Sequence, residues 1–183
     1  MIRLLAIHGK ARSGKDTFAH ALMQHRPFYR MAFADPLKAA VAGLFNIPQQ
    51  RAFSDNKDQV LEAWGLTLRD VLQRFGTEAM RNNFGDDFWV NRWQAEFDSL
   101  SKEQLVVITD LRYPNEAKRV RDLGGRVIHI SRGSAGLGGG EGQHASEQRL
   151  PFKFGDFLID NNGSFDDLAD RARSIILDIE TTE

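Results

Sequence analysis

Gly9 and Gly14 stand five residues apart, Lys15 follows at once, and the apolar run at residues 4–7 leads straight into them. Glycines so spaced let a strand-to-helix loop turn its backbone N–H groups inward around a polyphosphate, and the helix N-terminus adds partial positive charge. Lys15 can then reach the β and γ oxygens. Ser or Thr usually follows such a lysine and helps hold Mg²⁺. Here Asp16 takes that place and the hydroxyl comes one residue later, at Thr17. A carboxylate binds Mg²⁺ directly or through its waters, so the loop keeps its chemistry with a different ligand. The amphipathic continuation Phe18, Ala21, Leu22 favours this reading over a Gly-rich turn that merely caps a helix.

Asp110 closes the apolar run Val106-Val107-Ile108-Thr109. An acidic residue at the C-terminal end of a buried strand lies beside the phosphate loop in such an architecture, where it holds Mg²⁺ through water or polarises the attacking oxygen. Arg112 adds a cation able to grip a phosphate bidentately. Arg69, Arg74 and Arg81 share one expected helix, but spacings of five and seven do not bring all three to one face. Arg69, in the first turn, is the one best placed for a substrate phosphate. Asp35 and Lys38 follow the expected second strand, with simple helix capping as the plainer alternative. Six glycines fall within residues 133–142, a composition expected of a mobile lid over a phosphoryl group, with Arg132, His144 and Arg149 as its polar groups. The turn Asp160-Asn161-Asn162-Gly163-Ser164 could touch a purine or simply cap a helix.

The elements needed to carry these residues can be read from pattern. Strands are expected at residues 1–8, 29–34, 105–109, 126–131 and 157–160. Helices are expected at 15–25, 36–44, 57–64, 67–81, from 86 or 87 to 98, 114–123 and 165–179, with 46–56 polar and irregular. Pro36 suits a first helical turn, Thr67 a helix cap, and Gly124-Gly125 a helix stop. Strands alternating with helices imply a parallel sheet covered on both faces, and the long helical stretch between the second and third strands reads as an insertion for a second substrate. The 183 residues fit one domain, and 42% hydrophobic with 27% charged residues is ordinary for a globular chain. A net charge of -1 gives no electrostatic case for binding a nucleic acid polymer or a membrane surface. No segment approaches a membrane span, and the absence of cysteine suits a reducing cytoplasm. The five histidines show no metal-ligand spacing, which leaves Mg²⁺ arriving with a nucleotide as the expected metal.

Taken in order, the segments resemble the phage deoxynucleoside monophosphate kinases, a branch of the P-loop nucleoside-monophosphate kinase fold. The resemblance rests on R-S-G-K-D-T at residues 12–17, D-P-L-K at 35–38, R-D-V-L-Q-R-F-G-T-E at 69–78, N-N-F from Asn82 with Trp89-Val90, and D-L-R at 110–112. It continues in G-G-R-V-I-H-I-S-R at 124–132, H-A-S-E at 144–147 and D-N-N-G-S from Asp160. It implies an α/β, three-layer P-loop kinase fold: a core at about residues 1–45, 104–132 and 155–183, a helical acceptor-binding insertion at about 46–103, and a small Gly-rich lid at about 133–154. It also implies ATP with Mg²⁺ as phosphoryl donor and a deoxynucleoside monophosphate as acceptor, giving ADP and the diphosphate.

Carried over by position, Arg12, Ser13, Gly14, Lys15, Asp16 and Thr17 would bind ATP and, through Asp16 with Asp110, the metal, while Asn161 would lie near the adenine. Asp35, Lys38, Arg69, Gly76, Thr77, Trp89, Arg112 and His144 would form the acceptor side, with Trp89 as a wall for the base. Lys15, Asp110, Arg112 and Arg132 would act on the transferring group. The resemblance allows a homodimer, although no apolar stripe demands one. The rivals are another small-molecule kinase of the same fold, acting on dephospho-coenzyme A or phosphomevalonate, and a non-catalytic nucleotide switch. A guanine-reading N-K-x-D would favour the switch, but Asn56-Lys57-Asp58-Gln59 puts its Asp one position early.

Overall fold

Leu4–His8 is buried at every position, as a strand flanked on both sides and covered on both faces must be. This strand, β1, lies at the centre of a five-stranded parallel sheet in a computed structural model that describes residues 2–133 and 150–181. Its neighbours are β5 (Val106–Leu111) and β6 (Arg126–Ser131); β2 (Tyr29–Met31) flanks β5, and β7 (Phe157–Asp160) flanks β6. Helix α1 (Lys15–His25) follows the loop after β1, α7 (Pro114–Asp122) crosses from β5 to β6, and α8 (Phe165–Thr181) closes the chain. Phe18 and Leu22 of α1 and Leu168, Ala172 and Ile176 of α8 share one apolar cluster with Leu5, Ile7, Val107 and Ile128 of the sheet. Helix α7 packs separately on β1 and β6. Gly125 ends that crossover where a Cβ would come within 2.9 Å of Leu4, so only glycine lets the turn lie this close to the sheet.

Phe33–Ser99 forms a second contact unit with its own apolar cluster around Val41, Ile47, Leu61, Leu68 and Val71. It holds α2 (Asp35–Leu44), α3 (Gln49–Ala52), β3 (Val60–Leu61), β4 (Leu66–Thr67), α4 (Leu68–Gln73), a π-helix (Arg74–Arg81), α5 (Asn82–Phe84) and α6 (Phe88–Ser99). The unit begins before residue 46 because α2 packs on α3, α4, α6 and the π-helix.

Three expectations need correction here. Residues 46–56 are not wholly irregular, since Pro48 leads into the short helix α3. Residues 57–64 are not a helix: Val60 and Leu61 pair antiparallel with Thr67 and Leu66, and Gly65 turns the chain at φ 61°. Trp64 lies against Phe45 instead, ring centroids 4.8 Å apart. The helix capped by Thr67 is real, with Thr67 Oγ1 accepting the Asp70 N–H at 3.1 Å and Asp70 Oδ2 accepting the Thr67 N–H at 3.0 Å. It does not run on as one α-helix to Arg81, however, but widens into the π-helix at Arg74. No helix among the described residues is long and apolar enough to cross a membrane.

Candidate active site

The loop after β1 is shaped by close backbone approach. A Cβ on Gly9 would lie 2.4 Å from the Ile130 carbonyl oxygen and 2.6 Å from Ser13 Oγ. Arg12 and Gly14 take left-handed backbone angles, φ 63° and 95°, and so curl the chain into the first turn of α1. Lys15 folds back over the loop, its Nζ donating to the carbonyl oxygens of Gly9 and Lys10, both at 2.9 Å. Asp16 and Thr17 are exposed at the start of α1, where a carboxylate also complements the helix dipole.

Asn161 follows β7 and is buried against this loop. Its Nδ2 donates to the Ser13 carbonyl oxygen at 2.8 Å, and its backbone N–H donates to Ser131. A Cβ on Gly14 would meet that same Nδ2 at 2.3 Å. Asn161 thus braces the bend of the loop, a contact absent from the expectation that placed it by the adenine. Its neighbour Asn162 accepts the Gly133 N–H at 2.8 Å and so ties down the end of the chain leaving β6.

The strand order sets the remaining candidates around the loop. β5 and β6 flank β1, so Asp110 and Arg112 end the strand on one side and Arg132 the strand on the other. The β1–β5 register runs Leu4 to Val106, Leu5 to Val107 and Ala6 to Ile108, then His8 faces Leu111. One extra residue is therefore accommodated at Thr109-Asp110, and such a bulge re-aims the side chains it carries. Immediately beyond it, buried Glu116 accepts the backbone N–H groups of Arg112 at 2.9 Å and Tyr113 at 3.0 Å, fixing the base of Arg112. Arg132 is exposed.

In the helical unit Gly76 and Thr77 lie on the π-helix, and the other acceptor candidates are carried by α2, α4 and α6, which pack against it. Gly76 packs so closely on α2 that a Cβ would come within 2.8 Å of Leu37. Thr77 is next in the chain, and Lys38 and Asp35 share the first turns of α2, 3.5 Å apart. Trp89 is buried and its indole N–H donates to the Gly76 carbonyl oxygen at 2.9 Å. The ring expected as a wall for a base thus also supports the π-helix. Asn83 Nδ2 holds two more of its carbonyl oxygens, those of Glu78 and Ala79. Arg69 forks onto Asp58, Nε to Oδ1 at 2.7 Å and Nη2 to Oδ2 at 3.3 Å, and this contact holds the Asp58 carboxyl below its ordinary range.

His144 and Arg149 lie outside the described residues. Sequence reading overlooked Glu116, although Glu at the third position after Tyr113, with Pro114 between, is a helix-start signal. It had no signal for the π-helix. Among the described residues no group of three or more His, Cys, Asp or Glu side chains could hold a metal ion. Mg²⁺ needs no such cage, since it keeps its waters and binds through one or two carboxylates plus nucleotide phosphates, a demand that Asp16 and Asp110 suit.

A parallel sheet whose central strand feeds a Gly-rich, lysine-bearing loop into a helix defines the P-loop fold. The solved structures agree on that fold: dephospho-CoA kinase from Campylobacter jejuni superposes at TM-score 0.54 with 17% identity over 98% of both chains. TT1252 from Thermus thermophilus does so at 0.56 with 20% identity over 100% and 99%. The Deoxynucleotide monophosphate kinase family matches residues 44–172, and the chain belongs to that family. A protein of Acanthamoeba polyphaga mimivirus, provisionally named a deoxynucleotide monophosphate kinase, is 31% identical over 90% of this chain and 91% of its own. The deoxynucleotide monophosphate kinase of Escherichia phage RB69 is 24% identical over 88% of this chain, which spans 65% of that enzyme's length. The enzyme of the same name from Enterobacteria phage T4 is 26% identical over 67% of this chain, which spans 50% of its length.

Proposed function

We propose that the chain binds ATP on the loop after β1, takes a deoxynucleoside monophosphate on the groups gathered about the π-helix, and transfers the γ-phosphoryl group in line. An oxygen of the acceptor phosphate attacks the γ-phosphorus, the bond to the β–γ bridging oxygen breaks, and ADP and a deoxynucleoside diphosphate leave. The supporting observation is the Lys15 loop, braced from beneath by Asn161 and flanked by the strand ends that carry Asp110, Arg112 and Arg132. Membership of the family supplies the acceptor class.

In this reading Lys15 leaves the Gly9 and Lys10 carbonyls for the β and γ oxygens, and the loop N–H groups from Arg12 to Thr17 receive the remaining charge. Arg112 and Arg132 counter the charge that spreads over the transferring group. Asp35, Lys38, Arg69, Thr77 and, outside the described residues, His144 orient the monophosphate, and Gly76 leaves room beside the backbone. Asp16 and Asp110 would hold Mg²⁺, which neutralises β and γ oxygens when bound. Catalysis is positioning and charge neutralisation, with no covalent enzyme intermediate. The nucleotide chemistry and the cysteine-free sequence support a cytoplasmic enzyme.

The test is ADP formation from ATP and Mg²⁺ across deoxynucleoside monophosphates, their ribose counterparts and dephospho-coenzyme A. Turnover with one or more deoxynucleoside monophosphates is expected. Turnover with dephospho-coenzyme A alone, or ATP binding with no acceptor used, overturns the reading.

A further inference from the structure

β1 ends on His8, one residue before the loop begins at Gly9, and the ring is buried. Both ring nitrogens have partners. Nδ1 lies 3.2 Å from the Leu111 carbonyl oxygen, and the Leu150 backbone N–H lies 3.3 Å from Nε2. An acceptor on one side and a donor on the other select the neutral ring with its proton on Nδ1. From the side the ring is met edge-on by His129, centroids 5.5 Å apart and planes at 75°. His129 Nε2 in turn bonds Asp156 at 3.1 Å, and Arg121 forks onto the same carboxylate at 2.6 and 3.2 Å. Burial alone would raise the Asp156 carboxyl, but Arg121, the Lys153 N–H and His129 outweigh it and hold the group below its ordinary range. The stack that sets the plane of His8 therefore ends in a fixed charge.

A buried, satisfied histidine is ordinary packing unless something depends on where it points. Here Leu111 separates Asp110 from Arg112 and is the first residue after the register slip in β5. Its carbonyl is the point at which the bulge can be held from β1. We propose that His8 is a positioning residue for phosphoryl transfer: its Nδ1–H grips the Leu111 carbonyl and so sets the bulge that aims Asp110 and directs Arg112, while Leu150 locks the ring through Nε2. This rests on the roles given above to Asp110 and Arg112.

Stereochemistry supplies a discriminating pair of variants. An Asn amide N–H lies close to where imidazole Nδ1 was, and a Gln amide reaches the place of Nε2. His8→Asn keeps the Leu111 bond and gives up Leu150; His8→Gln gives up Leu111. The expectation is kcat within about threefold of wild type for His8→Asn, against a loss of about tenfold or more for His8→Gln, with KM for ATP changed less than about threefold in both. ¹⁵N NMR of ring-labelled histidine should show His8 protonated at Nδ1 and bare at Nε2.

Equal kcat in the two variants, kcat losses that simply track losses in melting temperature, or a ring protonated at Nε2 would each overturn the role of His8. A wild-type chain that phosphorylates no deoxynucleoside monophosphate overturns the functional reading itself, and the present one with it. A working wild type with indistinguishable variants overturns only the His8 proposal.

Discussion

The two contact units hold their candidate groups by different means. Around the loop the work is done by backbone: Gly9 and Gly14 have no room for a Cβ, Lys15 rests on two carbonyl oxygens, and Asn161, Asn162, Glu116 and His8 each grip a main-chain atom. In the helical unit the two candidate cations are held by other side chains, Arg69 by Asp58 and Lys38 by Asp35. Backbone contacts fix a shape whatever the side chains nearby, which suits a triphosphate that never varies. Ion pairs between side chains can be exchanged for a ligand's phosphate or altered by a single substitution, which suits a site whose groups must be released when an acceptor arrives. The contrast can be attacked from either side.

The largest effect should come from Lys15→Ala. Removing a cation aimed at the developing charge lowers kcat by about 10²–10³, while the melting temperature stays near wild type, since the Gly9 and Lys10 carbonyl oxygens that Lys15 holds lie in its own loop. Full activity in this variant would remove the basis of the loop reading. Next, Asp156→Asn breaks a nearly buried ion pair and should cost about 3 kcal/mol in denaturant titrations at neutral pH. The wild-type carboxyl is held below its ordinary range, so its contribution is complete above the unfolded-state value and fades as pH falls through the lowered one. The difference between variant and wild type should therefore shrink in acid; a difference independent of pH would contradict the charge assignment.

Gly14→Ala comes third. It forces a side chain onto φ 95° and against Asn161 Nδ2, costing about 1–2 kcal/mol with weakened ATP binding by calorimetry. Adding Asn161→Ala clears the contact but leaves the backbone angle and removes the brace on Ser13, so the double variant should recover part of the ATP affinity and not all of it. Full recovery would mean that crowding alone was at fault. The smallest effect belongs to the exposed pair. Asp58→Asn loosens the hold on Arg69 and should lower KM for the deoxynucleoside monophosphate about two- to threefold, with the melting temperature almost unchanged. Arg69→Ala should move KM the other way. An Asp58→Asn variant with raised KM would show that the pair orients Arg69 and does not compete with substrate.

The same contrast explains what could be read from the sequence. Local rules governed the loop unit: an apolar strand, two glycines, a lysine, and an acid at a strand end were enough to put Lys15 at the start of the helix after β1 and Asp110 on the neighbouring strand β5. They also found Thr67, because a cap is decided by the residues beside it. What escaped notice depends on atoms far apart in the chain. The amide of Asn161 meets Ser13, His8 meets Leu111 and Leu150, and Trp89 meets Gly76. None of these pairs is marked by spacing. Residues 57–64 were misread because the partner strand at Leu66–Thr67 is only two residues long, too short to leave an alternating pattern.

The central place of β1 in the sheet also governs the order in which the chain can assemble. Leu4–His8 is synthesised before either strand that pairs with it, both of which lie about a hundred residues downstream. Every residue of Phe33–Ser99, with its own apolar cluster, is synthesised in the interval. Throughout that interval a strand that ends up buried at every position has no pairing partner, the kind of segment that chaperones bind and that aggregation recruits. A nascent chain halted at Ser99 would carry the helical unit and no strand partner for β1, and its solubility would depend on whatever shields Leu4, Leu5 and Ile7 until Val106–Leu111 arrives.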